Sequence, residues 1–224
     1  MERDAAEAAQ LRRRLAGRLA EGGQLRSRRW RAAVEAVPRH AFLPEFFRMV
    51  STPQQTVWEP ISPARVGRST WLELTYADET WVTQLDGHTR PGDVDAGVPG
   101  EPTSSSTLPS LVVRMLEDLD VHDGDDVLEI GTGTGYSTAL LCERLGDEHV
   151  TSVEIDTQIA ADAVAALHRV GRTPTVVAGD GLAGCPSGGR FDKVVATCSM
   201  RRVPAAWIDQ TVPGGTILVT IGGW

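Results

Sequence analysis

Apolar residues recur at helical spacing in the first 37 positions, at Leu11, Leu15 and Leu19 and again at Trp30, Val34 and Val37, with Gly22-Gly23 between the two sets. This pattern predicts two short amphipathic helices broken at the glycines. From Val37 to Thr103 the periodicity fades. Two β-like runs there, Trp71 to Tyr76 and Trp81 to Leu85, flank the turn-like Ala77-Asp78-Glu79-Thr80 and predict a β-hairpin. Glycines and prolines from Gly87 to Pro102 mark the following stretch as a loop or boundary. Regular alternation then sets in. Pro109 suits a first helical turn behind the candidate caps Ser106 and Thr107, with Leu111, Val112, Met115, Leu116 and Leu119 as its apolar face. Short apolar runs follow at Val127 to Ile130, Val150 to Ile155, Thr175 to Ala178, Val194 to Thr197 and Thr216 to Ile221, with helical stretches after the first, second and fourth. This βαβ rhythm predicts an α/β unit with a mostly parallel sheet, helices on both faces and a ligand outside the carboxyl ends of the strands. The expected division is an N-terminal helical and hairpin extension over 1–103, in contact with substrate, and a core over 104–224.

A length of 224 residues fits one such core with an appendage. Cys142, Cys185 and Cys198 are the only cysteines and form no CxxC pair, which argues against a disulfide framework and against a metal site. No apolar run approaches the roughly 18 residues of a membrane span, and Met1 to Arg14 is charged where a signal peptide turns apolar. A cytoplasmic protein with no membrane partner is expected. The net charge of −8 and pI near 5.1 work against nucleic acid as a partner, so Arg26 to Arg31 reads as a solvated helix face.

The strongest chemical signal is Glu129-Ile130-Gly131-Thr132-Gly133-Thr134-Gly135-Tyr136, a glycine loop between an apolar strand and a helix from Ser137 to Leu145. Its spacing is GxGxG, whereas the dinucleotide fingerprint needs GxGxxG to bring a pyrophosphate to the helix N-terminus. A ligand with a ribose but no phosphate suits it better. S-adenosylmethionine fits, its amino-acid portion using the loop amides and the acid Glu129. Glu154, followed by Ile155, ends the second strand 19 residues beyond Gly135, where an acid accepts hydrogen bonds from ribose hydroxyls. Gly179-Asp180-Gly181 ends the third strand, where Asp180 is placed to take an adenine amino group. Each acid alone is more often a turn or cap residue, but three after three consecutive strands point to cofactor binding. The expected cofactor set is therefore Glu129, Gly131, Thr132, Gly133, Gly135, Tyr136, Glu154, Ile155, Asp180 and Gly181.

These residues resemble the class I S-adenosylmethionine methyltransferases, and more closely the protein L-isoaspartyl O-methyltransferases. The resemblance runs from about Val37 to Trp224. It rests on Val37-Pro38-Arg39-His40-Ala41-Phe42-Leu43-Pro44-Glu45, on the segment Val127 to Tyr136, and on Gly179-Asp180-Gly181. It implies a Rossmann-like methyltransferase fold, S-adenosylhomocysteine as product and a peptide or protein substrate. The family's Thr-Ile-Ser-x-Pro signature is here Ser105-Ser106-Thr107-Leu108-Pro109, with Thr107 keeping the hydroxyl; Ser105, Ser106 and Thr107 are thus implied to meet substrate. Two departures suggest a different substrate: a long insertion between Glu45 and Ser104, and Arg201 and Arg202 within Cys198-Ser199-Met200-Arg201-Arg202-Val203-Pro204. The segments Ser104-Ser105-Ser106-Thr107 and Cys198 to Pro204, with the closing Gly222-Gly223-Trp224, are similar to the actinobacterial methyltransferases that accompany ATP-grasp peptide cyclases and methylate an aspartate of a cyclised ribosomal peptide. Class I enzymes usually carry two more strands after the fifth. The sequence therefore reads as a fragment lacking the last strands, or as a chain whose hairpin covers the fifth strand's edge.

Methylating a carboxylate needs no general base, since carboxyl pKa values lie near 4. Orientation and desolvation are what a protein must supply. Thr107, at a helix start whose amides add partial positive charge, is the candidate for holding the carboxylate, and N-capping is its plain alternative. Arg201 and Arg202 would clamp acidic groups of the peptide, or simply lie in a solvated loop. His40 and Cys198 read as structural. The methyl ester would close to an aspartimide, which is either the product of peptide maturation or an intermediate of isoaspartyl repair. Small-molecule methylation remains open, as does a non-catalytic binding module, although such a module would not be expected to retain all three acids.

Overall fold

The computed structural model describes residues 2–51, 53 and 55–222. Of the closing Gly222-Gly223-Trp224, the last two residues lie outside them. The elements in chain order are α1 (Glu2–Glu21), α2 (Arg28–Ala36), β1 (Phe46–Ser51), β2 (Thr56–Ile61), α3 (Pro63–Val66), α4 (Arg68–Thr75), β3 (Trp81–Leu85), β4 (Pro102–Ser106), α5 (Pro109–Leu119), β5 (Val127–Ile130), α6 (Tyr136–Leu145), β6 (Val150–Glu154), α7 (Thr157–Arg169), β7 (Thr175–Ala178), β8 (Phe191–Met200), α8 (Ala205–Asp209) and β9 (Thr211–Ile221). Among the described residues no helix is long and apolar enough to cross a membrane.

The strands form two sheets. The C-terminal one is parallel throughout, in the order β7-β6-β5-β8-β9, as the βαβ rhythm predicts. Its central strand β5 is buried at every position, as a strand covered on both faces must be. Its side chains alternate: Val127 packs with the N-terminal helices and with α5 and α6, and Leu128 and Ile130 pack with Trp207 of α8 on the other face. The N-terminal sheet is antiparallel, in the order β2-β1-β3-β4.

The expected hairpin is corrected here. Trp81 to Leu85 is a strand, but Trp71 to Tyr76 lies on α4 and its C-cap, with Trp71, Leu72 and Thr75 buried on one helical side. A six-residue run whose apolar members are Trp71, Leu72, Leu74 and Tyr76 fits either period, and burial against the core selected the helix. Strand β3 pairs instead with β1 and β4, and β9 lies in the other sheet, so among the described residues the 71–85 segment does not cover the β9 edge. The stretch read as loop ends where β4 begins, at Pro102, and β4 runs across the expected boundary at residue 103.

Helices α1 and α2 pack on the same core that runs under α5 and α6. Arg26 and Arg29 pair with Asp118 and Asp123, and Arg31 with Glu35, in exposed ion pairs consistent with a solvated face. Arg39 behaves differently. It is fully buried, and its guanidinium donates to the carbonyls of Thr75, Ala77, Glu79 and Thr107 at 2.7–3.2 Å. Four acceptors offset the cost of burying a charge, although burial still pulls its pKa down to about 10. One residue thereby fixes the 75–79 turn against the segment that carries Thr107.

Candidate functional site

A cavity of about 690 Å³ opens beyond the carboxyl ends of β5, β6, β7 and β8, where the topology places a ligand. Strand β4 and the residues just after it form the opposite wall.

The glycine loop is the floor. Gly131, Gly133 and Gly135 have φ of 94°, 53° and 86°, left-handed values that favour glycine. A Cβ on Gly131 would come within 2.8 Å of Thr197 Oγ1, whose hydroxyl donates to the Gly131 carbonyl at 2.5 Å. The loop is pinned by Gly131 N donating to Val153 O and Gly133 N donating to Glu154 Oε2, both at 2.8 Å. Gly131, Thr132, Gly133 and Tyr136 line the cavity. Gly135 does not; it is the N-cap of α6 and packs toward Ala163, Leu167 and Phe42.

Glu129 also lies outside the cavity wall. Fully buried below the loop, it accepts from Ser137 Oγ and Thr138 Oγ1 at 2.5 Å and from Ser152 Oγ at 2.8 Å. Burial pushes its pKa up and the three hydroxyls oppose that shift. Its observed contacts brace the loop from beneath.

Glu154 and Asp180 do line the cavity. Both also serve the backbone: Glu154 Oε1 accepts from Asp156 N at 3.1 Å, and Asp180 Oδ1 caps Leu182 N at 2.9 Å. Ile155 and Leu182 stand in the same wall at 71% and 53% exposure, two large apolar side chains left open beside the acids. Gly181 lines the wall too, its carbonyl accepting from buried Trp207 Nε1 at 2.6 Å.

On the facing wall Ser105, Ser106 and Thr107 all line the cavity. The expected helix start is corrected in detail. The N-cap of α5 is Leu108, and neither Ser106 nor Thr107 caps it. The amides of Leu108 and Ser110 are already taken by Thr80 Oγ1 and Asp78 Oδ1, at 3.1 and 2.8 Å, so they are not free to hold a carboxylate. Among the described residues the Thr107 hydroxyl has no hydrogen-bond partner. Arg201 and Arg202 are exposed at the bend after β8 and do not line the cavity, whereas Met200 and Cys198 do. The Cys198 thiol is pushed up by partial desolvation, which leaves no reactive thiolate. His40 is structural, bonded to Tyr76 OH at 2.7 Å, and burial lowers its pKa to about 4.

Sequence reasoning passed over Gln84, Asp156, Leu182 and Thr197 among the lining residues. Asp156 carried a signal, because an Asp before a helix is an N-cap candidate, and it does cap α7 through Gln158 N and Ile159 N. No Lys, Arg or His stands among the described residues that line the cavity, and no group of three or more metal-ligating side chains occurs among the described residues.

A parallel sheet with a glycine loop after its central strand and acids after the next two is the arrangement of the class I S-adenosylmethionine-dependent methyltransferases. Residues 88–223 match the profile of the protein-L-isoaspartate(D-aspartate) O-methyltransferase family, and the chain belongs to that family. A protein-L-isoaspartate O-methyltransferase of Hyperthermus butylicus is 31% identical over 94% of this chain and 75% of its own length. The Archaeoglobus fulgidus protein-L-isoaspartate O-methyltransferase 2 is 30% identical over 94% and 78%. The relative from Ignicoccus hospitalis is 36% identical over 51% of this chain, and the matched region is 56% of that protein. A solved protein-L-isoaspartate O-methyltransferase superposes with a TM-score of 0.67 at 27% identity, covering 94% of this chain and 55% of that one. A Plasmodium falciparum structure of that enzyme class, in complex with S-adenosyl-L-homocysteine, shares the fold with a TM-score of 0.66 at 13% identity over 94% of this chain and 84% of that one.

Proposed function

We propose that this protein transfers a methyl group from S-adenosylmethionine to a side-chain carboxylate of a peptide or protein, and that an isoaspartyl residue is the preferred acceptor. The observation that carries the reading is one cavity in which the glycine loop, Glu154 and Asp180 face the Ser105–Thr107 segment, with no basic side chain among its described lining residues.

The donor set suits the cofactor. Glu154 would accept from the ribose hydroxyls, Asp180 from the adenine amino group, and Ile155 and Leu182 would flank the adenine ring. The glycine loop would hold the amino-acid portion, in a cradle that a Cβ on Gly131 would disturb. When bound, the cofactor supplies an electrophilic methyl group on a sulfonium.

This chain's residues would orient and desolvate the acceptor. The carboxylate is ionised near neutral pH and needs no base. Thr107, its hydroxyl uncommitted and its carbonyl anchored by Arg39, would donate one hydrogen bond to the carboxylate oxygen that does not take the methyl group. The other oxygen would take the methyl group, with the carbon–sulfur electron pair left on sulfur and no proton moved. The resulting ester is open to attack by the following backbone nitrogen. That attack closes a succinimide, with the amide proton leaving as methanol with the methoxide. The ring then hydrolyses.

A second reading keeps the chemistry and changes the substrate to an aspartate of an ATP-grasp-cyclised ribosomal peptide, with the aspartimide as product. It is favoured by Arg201 and Arg202, exposed directly after the cavity-lining Met200, where they would meet acidic groups of a bulky peptide at the cavity mouth.

The carboxylate claim is tested with methyl-labelled S-adenosylmethionine and an isoaspartyl peptide. Label that enters the peptide and leaves as volatile methanol in mild base is the expected result. Label that stays on the peptide in base would mean a nitrogen or sulfur acceptor and would overturn it.

A further inference from the structure

The N-terminal sheet reaches the cavity through an amide side chain that no sequence motif marks. Gln84 of β3 is only 5% exposed, and it lines both the main cavity and a neighbouring one of about 320 Å³. Thr103 Oγ1 of β4 donates to Gln84 Oε1 at 2.9 Å, which leaves Nε2 to donate to Asp156 Oδ2, also at 2.9 Å. Both bonds agree on one orientation of the amide.

Asp156 passes the connection on. Its other oxygen takes the amides of Gln158 and Ile159 at the start of α7. Its own amide donates to Glu154 Oε1 at 3.1 Å, while Gly133 N holds Oε2 at 2.8 Å. The Asp156 carboxyl is held below its usual range, the Gln84 amide being the largest cause. A series of hydrogen bonds thus runs from β4 and β3 through Asp156 to Glu154 in the cavity wall.

We propose that Gln84 is a positioning residue for the cofactor: by holding Asp156 it keeps the Glu154 carboxylate aimed into the cavity, so cofactor affinity depends on a residue of the N-terminal sheet. The inference rests on reading the cavity as the S-adenosylmethionine site. It does not depend on which peptide is methylated.

The test is calorimetric binding of S-adenosylhomocysteine to the full chain, without peptide. Gln84→Leu keeps the volume and removes the donor. Gln84→Glu keeps the acceptor for Thr103 and sets a carboxylate against Asp156, in a near-isosteric side chain that preserves the packing. Asp156→Ser keeps a hydroxyl to cap α7 but is too short to meet Gln84. Each variant is expected to bind about tenfold more weakly, the usual effect of losing a hydrogen bond to a charged group. The Gln84→Leu/Asp156→Ser double variant should bind no more weakly than the poorer single one, because both break the same connection.

A merely structural Gln84 would lower the melting temperature and leave the affinity of the folded protein unchanged. Wild-type affinity in both Gln84 variants, or losses that add in the double variant, would overturn the inference alone. Absence of binding by the wild type would overturn the cofactor reading as well.

Discussion

Glu154 both braces the glycine loop through Gly133 N and lines the cavity. Replacement by alanine should weaken S-adenosylhomocysteine binding at least about tenfold, since it removes a charged acceptor and frees the loop; a calorimetric titration reads this directly. Thr107→Val should act differently. Loss of one hydrogen bond to a charged acceptor predicts a fall in kcat of about 10- to 100-fold with unchanged cofactor affinity, measured by steady-state methylation at saturating cofactor. His40 gives a pH prediction independent of catalysis. Its pKa falls to about 4, from 6.5, through burial and the neighbouring Arg12 and Arg68 charges, so the folded state holds fewer protons than the unfolded one. The His40 contribution to stability is therefore full above about pH 6.5 and is lost as pH drops toward 4, by at most about 3 kcal/mol. Urea unfolding across that window should show a smaller loss in His40→Gln than in the wild type. At this scale the acids were legible because a carboxylate after a strand end is visible in one dimension. The exclusion of Glu129 from the cavity was not, because it depends on Ser137, Thr138 and Ser152 arriving from two other elements. Arg201 and Arg202 followed the correct strand, yet the bend after Met200 leaves them outside the cavity wall.

Among elements, the parallel sheet could be read from the sequence nearly strand by strand, because each buried strand is a short apolar run bounded by turn residues. The N-terminal sheet could not. Its strands β1 and β2 lie in a stretch without clear alternation, and β4 is mostly threonine and serine. The Trp71 to Tyr76 run shows why short apolar segments mislead, since its helical burial was decided by the core it packs on. Leu72 is fully buried within that core, so Leu72→Ala should cost about 2–5 kcal/mol in chemical denaturation, whereas a residue on an exposed strand face would cost well under 1. The glycine loop makes the opposite kind of demand, on backbone rather than packing. Gly131→Ala forces an L-residue to a φ of 94° and drives its Cβ toward Thr197, with an expected loss of about 1–3 kcal/mol and weaker cofactor binding. Thermal melts with and without S-adenosylhomocysteine separate the two effects.

For the molecule as a whole, the cavity is a joint product of two sheets. The parallel sheet contributes the glycine loop and the acids, while the antiparallel sheet contributes the wall that carries Ser105 to Thr107. Arg39 and Gln84 tie that wall to the rest, the first through the Thr107 carbonyl and the second through Asp156. Methyl transfer to a carboxylate asks for little more than this, as no proton has to be moved and charge neutralises as the ester forms. The measurement that tests the account most directly is intact mass spectrometry of three peptides after incubation with this protein and S-adenosylmethionine: one with an isoaspartyl residue, one with a normal aspartyl residue, and one cyclised by an ATP-grasp enzyme. Addition of a methyl group to the isoaspartyl peptide, followed by loss of methanol, is the predicted result, with the normal peptide unchanged. Modification confined to the cyclised peptide would replace repair with peptide maturation, and no methyl addition to any of the three would contradict carboxyl methylation of peptides.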